Sequence, residues 1–127
     1  MEHMAHTEIQ GQEAFCSICP DPAEVTGVLQ ALGFRLTFQM PAVIPAPYAQ
    51  IAPLPAQFHY QDSWGTEVIY LHGRDTNPDG VPLPEHASRF WAYPGSDMGA
   101  FRRATHTLAT HWMFRWQHAL QAGRNAA

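Results

Sequence analysis

Asp21-Pro22-Ala23-Glu24 opens a segment whose two ends are both written in the chain. An aspartate at the N-cap accepts from a free backbone N–H. A proline suits the first helical position, where its missing N–H is not needed, and a glutamate two residues later completes a capping box. Val25, Val28, Leu29 and Leu32 follow at the i, i+3, i+4, i+7 spacing of one apolar stripe. Gly33 stands where the left-handed residue after a helix belongs. The pattern predicts a helix over about residues 22–32, short enough that its stripe must be buried against something else.

The flanks supply that partner. Ala14 to Cys19, Phe34 to Gln39, Ala56 to Gln61, Thr66 to His72 and Ser88 to Tyr93 read as strands. Phe34, Leu36 and Phe38 alternate against Arg35 and Thr37. Asp62-Ser63-Trp64-Gly65 is a turn joining an antiparallel pair. In Thr66 to His72, Glu67, Ile69 and Leu71 share one face, and Val68, Tyr70 and His72 the other. Both faces are largely apolar, which predicts a central strand. Residues 40–56 carry too many prolines for a central strand and read as a loop with a short edge strand near Tyr48 to Ala52. Residues 73–87 read as a long surface loop. Pro94-Gly95 turns the chain, and Ser96 or Asp97 caps a helix over about 97–121. Its stripe is Phe101, Ala104, Leu108, Trp112, Arg115 and Ala119, widened by Met113, Trp116 and Leu120, and Gly123 ends it. Arg115 inside that stripe should be paired or lie at an interface. The expected fold is α+β: a mostly antiparallel sheet packed by a short helix (about 22–32) and a long C-terminal helix (about 97–121). Residues 1–13 read as a flexible tail and 14–127 as a single domain.

Composition narrows the function classes. Only 14% of the 127 residues are charged, against roughly 25% in ordinary domains. A surface so poor in charge suggests cover by a second copy, hence a homodimer. All 7 basic residues are arginine and the net charge is −4. Without lysine there is no Schiff-base chemistry and no P-loop, and the acidic balance excludes a nucleic-acid binder that tracks phosphates. The charge-free run Leu36 to Gln61 is long enough to span a bilayer, but its five prolines exclude a transmembrane helix, so no membrane partner is expected. Met1 to His6 has neither a positive region nor an apolar core of a signal peptide. A cytoplasmic location is expected, with two free thiols.

Several constellations carry chemistry. Cys16-Ser-Ile-Cys19 precedes a capped helix, as in thiol–disulfide motifs, but the cap is Asp21, so both thiols lie outside the helix and beside a negative charge. Two small packing thiols are the expected role. With His3 and His6 the pair reads as a reversed, loosely finger-like zinc spacing, from which no metal site is expected. Of 8 histidines, His106, His111 and His118 fall on the second helix, where no two stand at i, i+3 or i+4, so that helix alone cannot chelate. Protonating all 8 moves the formal net charge from −4 to +4, which predicts low solubility near pH 6. Arg102 and Arg103 read as a solvated face. Glu67, in an apolar strand, is the best acid–base candidate. Trp64, Trp91, Trp112, Trp116, Phe58, Tyr60, Tyr70 and Tyr93 suit either an aromatic core or the lining of an apolar cavity.

Ala14 to Phe38, with Asp21 starting the helix and Leu32-Gly33-Phe34 closing it, resembles the opening of vicinal-oxygen-chelate proteins. That superfamily includes glyoxalase I, extradiol dioxygenases and bleomycin-resistance proteins, built from modules of a strand, a helix and three strands. The resemblance implies that Tyr48 to His72 supply later strands and that Arg89 to Thr110 open a second module, too short to finish within this chain. The metal-ligating histidine of the family would fall near Ala14 and its glutamate near Tyr70. The resemblance therefore implies the metal-free, ligand-binding branch, without a cofactor.

The expected function is a non-catalytic small-molecule-binding or sequestering protein, taking a small apolar or aromatic ligand on Trp64, Tyr70, His72, Trp91 and Tyr93. Two alternatives remain. One is an interaction protein using the proline-rich 40–56 segment and the C-terminal helix. The other is a metal- or thiol-dependent enzyme using His59, Glu67, His72 and His86.

Overall fold

The computed structural model describes residues 11–16, 19–43, 55–73 and 88–118. Its elements are β1 (Gln12–Cys16), α1 (Pro22–Ala31), β2 (Arg35–Met40), β3 (Ala56–Gln61), β4 (Glu67–His72), β5 (Ser88–Tyr93), α2 (Met98–Trp112) and β6 (Gln117–His118). The six strands form one antiparallel sheet in the order β2-β3-β4-β5-β1-β6. The expected α+β architecture is therefore present, with β4 in the interior between β3 and β5. Among the described residues, no helix is long and apolar enough to cross a membrane.

Both helices pack on one face. Val25 and Leu29 of α1 and Phe101, Ala104 and Leu108 of α2 join Cys16, Tyr60, Val68, Tyr70, Phe90 and Ala92 in a single core. The capping signals behave as chemistry requires. Asp21 accepts from the Ala23 N–H at 3.2 Å, and Asp97 from the Gly99 N–H at 2.9 Å. Gly33, at φ +94, leaves α1 through the left-handed region open to glycine. Gly95 passes so close to the β3–β4 turn that a Cβ there would collide with the Trp64 carbonyl. That approach lets the Ser96 N–H reach the Trp64 carbonyl at 2.8 Å.

Three expectations need correction. The tail does not run to residue 13, because Gln12 and Glu13 are already in β1, paired with Ala92 and Trp91 of β5. The first strand accordingly ends at Cys16 rather than Cys19. The C-terminal helix stops at Trp112 instead of continuing to about 121. Met113 takes a left-handed conformation (φ 56, ψ 44) and the Phe114 N–H turns back to the Ala109 carbonyl. The reversal lays Phe114 and Trp116 against Phe90, with ring centroids at 5.2 and 6.2 Å. The Trp116 indole N–H donates to the Thr105 carbonyl at 2.6 Å. A continued helix would have carried Arg115 along the buried stripe; the turn puts it in solvent. Burying two aromatic rings on a third outweighs a few more helical residues. The chain then pairs Gln117 and His118 with β1. The edge strand expected near Tyr48 to Ala52, most of the 73–87 loop, His3, His6 and His86 lie outside the described residues.

Candidate functional site

A strand sends successive side chains to opposite faces, so each central strand here builds two surfaces. Even positions of β4 (Val68, Tyr70) and β5 (Phe90, Ala92) meet the helices and are fully buried. Odd positions turn away from the helices. Register places Glu67 beside Tyr93, Ile69 beside Trp91 and His59, and Leu71 beside Gln57 and Arg89. Gln57, His59, Glu67, Ile69, Leu71, Trp91 and Tyr93 line a groove of about 450 Å³ across this second face.

The groove has an apolar floor, an aromatic wall and one polar corner. Ile69 and Leu71 form the floor. Trp91 and Tyr93 stand nearly parallel along β5, centroids 6.4 Å apart at 21°. At the corner, His59 Nε2 meets Gln57 Oε1 at 3.3 Å and Nδ1 faces Glu67 Oε2 at 3.8 Å. The Phe38 ring stands edge-on to the imidazole at 5.0 Å. At the far end Arg89 reaches across to β1, 3.7 Å from Glu13 and over the Phe15 ring at 5.2 Å.

The other face holds a closed polar knot. The Tyr70 hydroxyl lies 2.6 Å from the Pro20 carbonyl, 2.8 Å from His72 Nδ1 and 3.2 Å from Ser88 Oγ. A phenol has one proton and a carbonyl can only accept, so that proton goes to Pro20. His72 Nδ1 must then be the donor, which fixes its tautomer. Ser88 Oγ also accepts the Gly73 N–H at 2.7 Å. Burial raises the Tyr70 phenol well above its usual range, with the Ser88 hydroxyl opposing. Burial also lowers His72, against smaller upward pulls from Asp21 and the Pro20 carbonyl. The knot ties the start of α1 to the ends of β4 and β5 and holds its own atoms together.

The five residues predicted to bind ligand thus lie in three places. Trp91 and Tyr93 line the groove. Tyr70 and His72 belong to the knot on the opposite face, and Trp64 sits exposed at the β3–β4 turn. Of the alternative catalytic set, the structure brings together His59 and Glu67 and separates them from His72. Sequence reasoning missed Gln57, Ile69 and Leu71 as groove residues. The signal was the shared face of Glu67, Ile69 and Leu71, which pointed to a central strand but not to which face the helices would cover.

Cys16 is buried and Cys19 half-buried, both as free thiols. Burial, with a smaller push from Cys19, raises the Cys16 thiol to about 12, the reverse of an activated redox thiol. Among the described residues, no group of three or more His, Cys, Asp and Glu side chains could hold a metal ion. Two smaller depressions lie at Gly33, Arg35, Gln61, Asp62 and Ser63 (about 300 Å³) and along α2 at His106, Thr107, Thr110 and His111 (about 240 Å³). No protein-family model, curated protein or solved structure matches the chain.

Proposed function

We propose that this protein binds and sequesters a small molecule, without transforming it, in the groove on the face of its sheet away from α1 and α2. The observation that carries the reading is the groove itself. Ile69, Leu71, Trp91 and Tyr93 give it an apolar lining with His59, Glu67 and Gln57 at one corner. Its volume of about 450 Å³ falls within the range of ligand sites, and so does the mix of a broad apolar surface with a few convergent polar groups. Tyr70, His72 and Trp64 take no part in it. The likeness to the metal-free bleomycin-resistance branch frames this proposal: β1, α1, β2, β3 and β4 run in the order of its module, and β5 adds a further strand. A cytoplasmic setting suits it, since Cys16 and Cys19 are free thiols.

The test is a fragment screen on isotope-labelled protein, read at the Trp91 indole N–H and the β4 amides. Saturable shifts confined to those signals, and lost in Leu71→Arg, are expected. Shifts that cluster on α2 instead, or persist in Leu71→Arg, would sink the proposal.

A homodimer belongs to the same proposal. Phe15 and Phe38, 47% and 49% exposed, flank the groove side of the sheet and extend its apolar surface. Sedimentation should show a dimer that Phe38→Glu converts to monomer. A monomeric wild type removes the dimer and leaves the groove.

A further inference from the structure

The polar corner of the groove presents a carboxylate. His59 Nε2 lies 3.3 Å from Gln57 Oε1, and its other ring nitrogen, Nδ1, faces Glu67 Oε2 across a gap of 3.8 Å, longer than a hydrogen bond. The Glu67 side chain, 39% exposed, therefore keeps its carboxylate open to the groove. Among the described residues, nothing else lining the groove brings a positive charge there: the rest of the lining is Gln57, Ile69, Leu71, Trp91 and Tyr93. Arg89 is turned to Glu13 and Phe15, and Arg35 borders the separate depression at Asp62.

Beside the gap stands the aromatic wall. Tyr93 is the register partner of Glu67, and Trp91 that of Ile69. Aromatic faces attract cations and stack on flat apolar bodies. Resting on the small-molecule reading above, we infer that the groove selects an organic cation: a protonated amine that donates to Glu67, carried on an aromatic body that lies over Ile69 against Trp91 and Tyr93. A neutral ligand of the same shape keeps the apolar contacts and leaves the carboxylate unmatched. An anion of that shape meets repulsion from Glu67.

Three probes of matched shape test this: phenethylamine, phenethyl alcohol and 3-phenylpropionate, titrated into the full chain at neutral pH. The readout is the Trp91 indole N–H, identified by its loss in Trp91→Phe, with the Trp64, Trp112 and Trp116 indoles as internal controls. Phenethylamine should bind about fivefold tighter than the alcohol, the size expected of a half-exposed ion pair, and 3-phenylpropionate weakest. Glu67→Gln should erase the amine's advantage over the alcohol. Glu24→Gln, on the exposed side of α1, should change neither. Equal binding of all three probes, or an amine preference that survives Glu67→Gln, overturns the inference while the groove stands as a ligand site. Tightest binding by 3-phenylpropionate overturns it in favour of an anion site. Silence of the Trp91 signal with every probe removes both the inference and the small-molecule reading beneath it.

Discussion

The two faces of the sheet are made by the same strands and differ in what they do with polar groups. On the helix side, Tyr70, His72, Ser88 and Pro20 close a set of hydrogen bonds among themselves, surrounded by Phe90, Val68 and Tyr60. On the groove side, Glu67 and His59 face each other at 3.8 Å, beyond hydrogen-bond reach. A polar group buried in a protein core must be satisfied internally or its lost hydration destabilises the fold. A polar group on a wet surface is under no such demand and is free to await a ligand. Tyr70, His72 and Ser88 therefore serve the fold, whereas the Glu67 carboxylate stays open to the groove.

The sharpest way to break that contrast is a pair of neighbours on β5. Phe90, fully buried and in ring contact with Tyr70, Trp112, Phe114 and Trp116, should cost about 3–5 kcal/mol on truncation to alanine. Trp91→Ala should cost no more than about 1–2 kcal/mol, although it removes a larger ring. Urea unfolding measures both, and equal costs would mean that the groove face is core.

The polar knot comes next. Tyr70→Phe keeps the ring and deletes the hydroxyl that serves the Pro20 carbonyl, so stability should fall by roughly 1–3 kcal/mol. Glu67→Gln on the other face should leave the unfolding midpoint almost unmoved. A loss from Glu67→Gln as large as that from Tyr70→Phe would show that the His59–Glu67 corner is also structural. At the boundary of α2, Asp97→Ala removes an acceptor for the Gly99 and Ala100 N–H groups and should cost about 1 kcal/mol, seen in the same unfolding curves.

His72 gives a smaller effect with a defined sign. Burial holds its pKa in the folded protein below the ordinary 6.5, so the unfolded chain takes up the proton first as pH drops. Its contribution to stability is complete above pH 6.5 and is lost as pH falls through the folded value. Unfolding free energy measured from pH 8 to pH 5 should decline less steeply in His72→Gln than in the wild type. An unchanged slope would detach His72 from the knot. Thiol labelling adds the smallest test: Cys19 should react with iodoacetamide in the folded protein, and Cys16, with its thiol raised to about 12, only on unfolding.

Local signals were legible wherever one stretch of chain contains both partners of an interaction. Asp21, Pro22 and Gly33 bound α1 within a residue because a cap bonds to its own helix. Ala56 to Gln61 and Ser88 to Tyr93 were readable as strands with their observed bounds. The end of α2 was not. Its apolar spacing continues through Trp116, and the reversal at Met113 depends on Phe90, which lies far back in the sequence. The candidate site was half legible for the same reason. Trp91 and Tyr93 could be chosen as aromatic and Glu67 as unusual in an apolar strand, but Tyr70 and His72 looked equally suitable.

Alternation along β4 and β5 fixed which residues share a face, because pleating allows no other arrangement. It could not say which face is wet. That was decided when α1 and α2 both packed against Val68, Tyr70, Phe90 and Ala92, leaving Glu67, Ile69, Leu71, Trp91 and Tyr93 to line a groove. Local residue order was enough for the caps, the strands and the division of side chains into two sets. Tertiary structure alone assigned one set to the core and the other to a groove, because the side on which a helix docks is settled by contacts between residues distant in the chain.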